Sequence, residues 1–113
     1  MKWICSLLLS AFFANAAAQT QYTITGKVTE KESGNAIELA TIQLLTKDST
    51  YVGGIGTSKT GSFTIKSSKA GSYIIKASFV GYVTQYRNVT LAKSKPNVSL
   101  GTIALPLNSV ALP

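Results

Sequence analysis

The sequence contains no histidine and only four acidic residues, and these absences limit the chemistry that it can perform. Histidine is the commonest general base, it activates Ser and Cys nucleophiles, and it is the usual zinc ligand. A glycosidase needs two facing carboxylates, and a calcium site needs roughly six oxygen ligands. Only Glu30 and Glu32 are spaced to share one face, and we interpret them as a solvated strand end. We therefore predict no enzymatic activity, no catalytic residues, and no metal or cofactor site.

Cysteine is almost absent, because the single Cys5 lies in an N-terminal segment that has the order of a secretory signal peptide. A short positive region precedes an apolar run over residues 3–13, which is too short to cross a bilayer. Small residues follow this run and predict cleavage after Ala18 or, alternatively, after Ala16. We therefore expect residues 1–18 to be removed on export, which leaves a mature domain without disulfides.

Basic residues outnumber acidic ones, yet they do not form a nucleic-acid-binding patch. Loss of Lys2 with the leader leaves ten basic and four acidic residues, a net charge of +6. The basic residues are single lysines spread along the chain with one arginine, and isolated lysines keep strand edges from pairing. We expect no nucleic-acid partner, and contact with anionic glycans or lipid head groups is the alternative interpretation of the charge.

Helical periodicity is also lacking, and apolar residues instead recur at every second position in short segments separated by glycine-containing turns. This spacing predicts an all-β fold, a seven-stranded antiparallel β-sandwich over residues 19–105, with a barrel as the second choice. Residues 106–113 are predicted to be a C-terminal connector. The predicted strands cover residues 21–29, 39–46, 51–57, 62–66, 73–79, 84–91 and 98–105.

The alternation also predicts which side chains fill the core and where the strands are irregular. Gly26, in the middle of the first strand, indicates a bulge or a close backbone approach. Val98 and Leu100 have the opposite parity to the apolar residues that follow them, so a bulge at Gly101 is required in the last strand. The predicted core comprises Tyr22, Ile24, Val28, Ile42, Leu44, Phe63, Ile65, Tyr73, Ile75, Phe79, Val89, Leu91 and Ile103.

Aromatic residues are the remaining candidates for a binding site. Tyr51, Tyr82 and Tyr86 are predicted to be exposed, and exposed tyrosine rings are suited to stacking on sugars. The alternative is that Tyr86 covers one face of a sheet. The three tyrosines are therefore candidate glycan-stacking residues.

Five short motifs occur in order along the chain. They are Gly26–Thr29, Ala40–Leu44, Gly61–Phe63, Gly71–Tyr73 and Ser78–Tyr82. Together they resemble the carboxypeptidase regulatory-like domain, which is a transthyretin-like or carbohydrate-binding-like sandwich of seven strands. The resemblance covers about residues 22–105, and it is greatest to the copy that follows the signal peptide in Gram-negative outer-membrane β-barrel proteins, including TonB-dependent receptors. That family usually carries Asp near Ser58 in the turn before Gly61, where this sequence has Ser58 and Thr60.

The resemblance implies a non-catalytic accessory or interaction domain of the cell envelope, in the periplasm or at the outer membrane. The implied partner is another protein, or a plug and barrel attached to this domain, and membrane association would arise only through that barrel. No plug or barrel strands occur in this sequence, so it is interpreted as truncated before them. The alternative is a secreted carbohydrate-binding β-sandwich module, because starch-binding-like modules share the fold.

Overall fold

The computed structural model describes residues 20–108, and seven strands make up most of this range. The predicted signal peptide and the end of the predicted connector lie outside the described residues. Within this range there is no helix with the length and hydropathy needed to span a membrane. The strands are β1 (Tyr22–Glu30), β2 (Thr41–Thr46), β3 (Tyr51–Gly56), β4 (Ser62–Ser67), β5 (Gly71–Ser78), β6 (Gln85–Leu91) and β7 (Asn97–Leu105).

The strands form two sheets, one in the order β4-β1-β7 and the other in the order β3-β2-β5-β6. The predicted all-β sandwich of seven strands is confirmed. The purely antiparallel arrangement needs one correction, because β1 and β7 pair in parallel while all the other neighbours are antiparallel. Alternation specifies which side chains face inward but not the direction of a strand. A parallel pair needs a long connection, and the five intervening strands provide it.

The core lies between the two sheets, and its residues are mostly those that the alternation of apolar and polar residues predicted to face inward. The predicted core residues are buried except Phe79, which is partly buried and packs on the margin of the core. Five buried apolar side chains are not in the predicted core list, namely Ile37 and Ala40 before β2, Leu45 within it, Ala77 in β5 and Leu105 in β7. Ala40, Ala77 and Leu105 have the same parity as the predicted inward residues of their strands. Ile37 was missed because a loop has no periodicity from which burial can be inferred.

A bulge in β7 faces Gly26 of β1, as the sequence predicted. Thr25 pairs with Ser99 and Lys27 pairs with Thr102, so two residues of β7 face one residue of β1. Gly101 adopts a φ of 70°, which favours glycine at this position of a bulge. A Cβ atom on Gly26 would lie 2.6 Å from the ring of Phe63, so the absence of a side chain lets this ring pack directly on β1.

The turn from β3 to β4 is closed by hydroxyl groups and by one glycine. The Ser58 Oγ atom accepts hydrogen bonds from the backbone N–H groups of Thr60 and Ser62, both at 3.3 Å. The Ser58 hydroxyl oxygen thus closes this turn from within. Gly61 has a φ of 78°, and its carbonyl accepts a hydrogen bond from the N–H of Val28 at 2.8 Å. This turn therefore joins β4 to the central strand of the three-stranded sheet.

Replacement of Gly61 by alanine is expected to destabilise the fold strongly, because a Cβ atom there would lie 2.4 Å from the Val28 carbonyl oxygen. Gly34→Ala is the matched control, since Gly34 has nearly the same φ, 77°, and nothing within 4 Å of its Cβ position. We expect Gly34→Ala to lower the free energy of unfolding by about 1–2 kcal/mol. We expect Gly61→Ala to lower it by at least about 3 kcal/mol. Urea denaturation measures both, and equal losses would contradict the assignment of a steric conflict.

Candidate functional site

The three candidate tyrosines occupy two different regions of the sandwich. Tyr51 begins β3 and Tyr86 lies in β6, and their side chains are 59% and 57% exposed. These strands are the two edges of the four-stranded sheet. Tyr82 follows β5 in a loop, and it is only half-exposed because it packs against the core. The structure thus groups two of the candidates on one sheet and separates the third.

The pairing of the strands shows that Tyr51 and Tyr86 point to the same side of this sheet. Tyr51 pairs with Leu45 and Leu45 with Ile74, while Lys76 pairs with Tyr86. Their strand neighbours Leu44, Ile75 and Ala77 are buried in the core, so these residues face away from the other sheet. We call this side the outer face. Three strand spacings, about 14 Å, separate the two tyrosines across it.

The outer face contains a small apolar cluster that alternation did not predict. Leu45 is only 8% exposed, yet it does not belong to the core between the sheets. It lies between Tyr51 on β3 and Ile74 on β5. The sequence did carry a signal of this cluster, because the apolar pairs Leu44–Leu45 and Ile74–Ile75 interrupt strict alternation. Consecutive apolar residues on neighbouring strands indicate apolar side chains on both faces of a sheet.

The ring of Tyr51 lies along its own strand. The position that a Cβ atom would occupy on Gly54 is 3.0 Å from the Tyr51 hydroxyl and 3.6 Å from one ring carbon. Glycine at this position therefore leaves room for the ring beside the backbone of β3. The arrangement fixes the ring next to Leu45 while most of its surface stays in solvent.

Tyr82 belongs to a cluster at the end of the sandwich where β1 and β7 finish. Its ring lies 5.9 Å from that of Phe79, with the two planes tilted by 44°. The loop around it pairs with the chain after β7, since Val83 N–H donates to the Pro106 carbonyl at 2.8 Å and Asn108 N–H donates to the Gly81 carbonyl at 2.9 Å. Tyr82 thus has a packing role in holding the last described residues against the sandwich.

Two of the acidic side chains, those of Glu30 and Asp48, form hydrogen bonds within local turns. Glu30 accepts a hydrogen bond from the Ser33 hydroxyl at 2.9 Å. The Asp48 carboxylate accepts hydrogen bonds from the Thr46 hydroxyl and the Thr50 N–H, which lower the pKa of Asp48. No group of three or more acidic, histidine or cysteine side chains that could hold a metal ion occurs within residues 20–108.

A buried hydroxyl fastens the loop that carries Ile37 to the end of β3. Thr57 is 2% exposed, and its Oγ1 atom donates to the Ile37 carbonyl at 2.5 Å. The same atom accepts a hydrogen bond from the Ala40 N–H at 2.9 Å. The buried Thr57 hydroxyl therefore both donates and accepts a hydrogen bond, so Thr57 has a structural role.

A cavity opens between the start of β3 and the end of β4, where the edges of the two sheets meet. Its volume is about 410 Å³. Tyr73 lines it, and the Tyr73 hydroxyl donates to the Lys69 carbonyl at 2.8 Å. Sequence patterns did not indicate this cavity, because its walls come from four separate strands and a loop. The lining residues are Thr46, Val52, Lys66, Ser67, Ser68, Lys69 and Tyr73.

The pKa of Tyr82 is raised above its usual value by burial, then by the charge of Glu30 and the hydrogen bond with it, and by the charge of Glu32. The neutral phenol is thus favoured in the folded state. Its contribution to stability is complete below the unfolded pKa of about 10 and is lost as the pH rises through the folded pKa. Glu30→Gln is expected to lower the Tyr82 pKa only partly, because burial remains.

Carbon-13 NMR of the tyrosine rings during a pH titration measures this change. Glu38→Gln is the control, since Glu38 does not contribute to the raised pKa of Tyr82. An unchanged Tyr82 pKa in Glu30→Gln would contradict the proximity of the two side chains.

Solved structures with the same fold come from bacterial pilins. The major pilin subunit BcpA of Bacillus cereus superimposes with a TM-score of 0.66 at 14% identity, and the match covers 79% of this chain and 31% of that chain. The group B streptococcus pilus 2b backbone protein gives 0.59 at 16% identity, with 78% and 42% covered. The shaft pilin SpaA of Lactobacillus rhamnosus GG gives 0.62 at 16%, with 83% and 53% covered. At these identities the likeness shows the fold, and the chain spans only about a third to a half of those proteins.

No curated protein sequence is significantly similar to the chain. The sequence profile of the carboxypeptidase regulatory-like domain, however, matches residues 23–106. This match includes all of the strands except the first residue of β1, and it agrees with the five motifs and with the sandwich that they form. The chain therefore belongs to the carboxypeptidase regulatory-like domain family.

Proposed function

We propose that the chain is a non-catalytic accessory domain of the bacterial cell envelope, exported by its N-terminal segment and joined to an outer-membrane β-barrel protein such as a TonB-dependent receptor. Membership of the family and the place of the domain directly after a signal-like segment support this role. A part of each of these pilin structures shares this fold, which agrees with a domain that spaces or docks other parts of an assembly.

The observation that carries the proposal is the parallel pairing of β1 and β7. Thr23 pairs with Asn97 at one end of the three-stranded sheet, and Glu30 pairs with Leu105 at the other end. The chain therefore enters the sandwich at one end and leaves it at the opposite end. Strands of nine residues are about 30 Å long. The domain is thus built to hold a preceding segment and a following domain apart, as a spacer does.

The arrangement of polar side chains supports the absence of catalysis. Glu30 and Asp48 are held by hydroxyl and amide groups of their own turns, and the buried Thr57 hydroxyl is committed to the backbone. None of these groups faces a second titratable side chain in the cavity between β3 and β4. The exposed surfaces, rather than a pocket with reactive groups, are then the parts of the domain available to partners.

Cell fractionation with an antibody raised against residues 20–108 tests the accessory role. We expect the antibody to detect, in the outer-membrane fraction, a polypeptide much longer than 113 residues. An inner-membrane protein and a periplasmic protein serve as fractionation markers. Detection of a product of this domain alone in the culture medium would overturn the proposal and favour a secreted module.

A second candidate function is glycan binding, favoured by the two exposed tyrosines on the outer face. Tyr51 and Tyr86 border a surface that also carries Lys76 and the apolar side chains of Leu45 and Ile74. Aromatic rings next to hydrogen-bonding groups are suited to the apolar faces and hydroxyls of sugars. A glycan chain lying across the four strands would contact both rings.

The double variant Tyr51→Ala/Tyr86→Ala tests the second candidate. If the outer face binds glycans, retardation of the chain in native gels containing soluble starch or peptidoglycan fragments is expected to disappear in this variant. Tyr82→Ala is the control, because Tyr82 lies away from the outer face, and near-ultraviolet circular dichroism verifies that each variant is folded. Equal retardation of the double variant and the wild type would exclude this site.

A further inference from the structure

The edge of the four-stranded sheet formed by β3 has a bulge at Val52, where Leu44 pairs with Gly53 and Leu45 with Tyr51, but it lacks the other features that normally protect a strand edge. Exposed edges are usually guarded by lysines, prolines or bulges, because their unpaired backbone groups otherwise accept another strand. No charged residue and no proline occurs between Ser49 and Ser58. By contrast, β4 carries Lys66 and β6 carries Arg87, whereas β7, like β3, has one bulge and neither a charged residue nor a proline. Beyond its bulge, residues 53–56 of β3 therefore form a regular edge that no charged side chain or proline protects.

The backbone of β3 presents unpaired hydrogen-bonding groups at two glycines. The Thr57 N–H donates to the Ala40 carbonyl at 3.0 Å, so Thr57 points toward β2. Alternate residues of an antiparallel strand point to opposite sides, so Gly54 and Gly56 direct their N–H and C=O groups away from β2. Neither the sheet order nor the backbone hydrogen bonds place another segment of residues 20–108 on this side.

Exposed apolar side chains and lysines flank this edge. Val52 and Ile55 are 45% and 44% exposed. Lys66 and Lys69 are exposed and line the cavity of about 410 Å³ into which Val52 also faces. The nearest acidic residue in sequence, Asp48, is bound within its own turn. The edge thus combines unpaired backbone N–H and C=O groups with the exposed apolar side chains of Val52 and Ile55 and with the positive charges of Lys66 and Lys69.

We infer that the β3 edge is a docking site for an extended, acidic segment of a partner protein, which adds a fifth strand to the four-stranded sheet. Backbone hydrogen bonds to Gly54 and Gly56 would hold the segment, and its acidic side chains would meet Lys66 and Lys69 at the cavity. A second copy of this chain is a poor occupant, because pairing two β3 edges would bring two sets of lysines together. The inference rests on the proposed interaction role and names the surface and the partner chemistry for it.

The probe is a synthetic, fluorescently labelled peptide of nine residues in which valine and glutamate alternate between terminal threonines. The same peptide with lysine in place of glutamate is its control. Fluorescence anisotropy with the full chain measures the dissociation constant, and hydrogen–deuterium exchange measured by NMR reports protection of individual amides. We expect the acidic peptide to bind, the lysine peptide not to bind, and the amides of Gly54 and Gly56 to gain protection.

Matched variants locate the binding. Val52→Lys is expected to weaken binding about tenfold or more. Val80→Lys makes the same change at a residue that is 87% exposed in the loop after β5 and does not line the cavity, and it is expected to leave binding unchanged. Lys66→Glu/Lys69→Glu is expected to abolish binding, while Lys93→Glu/Lys95→Glu, with the same change of net charge, is expected to preserve most of it.

Gly56→Pro provides a second test that does not depend on side-chain charge. It removes the outward N–H, and a Cβ atom at this position makes only ordinary contacts at 3.7 Å and beyond. We expect this variant to stay folded and to lose the peptide.

Three outcomes would overturn the inference. The first is that Val52→Lys and Val80→Lys reduce binding equally. The second is that the peptide binds without protecting the amides of Gly54 and Gly56. The third is concentration-dependent dimerisation that Gly56→Pro abolishes, which would identify a second copy as the occupant. Each is independent of the fractionation result, so the accessory role can stand if the edge assignment fails.

Discussion

The parallel pairing of β1 with β7 is the interaction on which the rest of the structure depends. It makes β1 the central strand of the three-stranded sheet, with β4 on its other side. From this position Ile24 and Val28 reach the middle of the core, where Ile103 and Leu105 of β7 join them. The pairing closes the fold between its first and last strands, and it also sends the two ends of the chain to opposite ends of the sandwich.

Three glycines allow close packing around β1, each for a different steric reason. Gly26 leaves space for the ring of Phe63, Gly101 adopts the positive φ of the bulge, and Gly61 brings its turn against the Val28 carbonyl. All three lie around β1, so their role is to fold the domain rather than to bind a ligand. The exposed tyrosines Tyr51 and Tyr86 and the edge strand β3 lie instead on the second sheet.

The two sheets thus carry different features of the domain. The three-stranded sheet carries the entry and exit of the chain, and the four-stranded sheet carries the outer face with Tyr51 and Tyr86 and the open edge of β3. A domain tethered through one sheet leaves the other free for contacts. This separation is compatible with a spacer that also docks a partner, because neither task uses the surface that the other needs.

The sequence by itself determined the strands, the buried face of each strand and the need for a bulge near Gly101, because these follow from side-chain parity along one strand. The five motifs by themselves also indicated the family. Only the tertiary structure decided that β1 and β7 run parallel, that Leu45 and Ile74 meet on the outer face, and that Tyr82 is separated from Tyr51 and Tyr86. Direction, sheet order and contacts between strands depend on how distant segments pair, and the parity of a single strand contains no information about its neighbour.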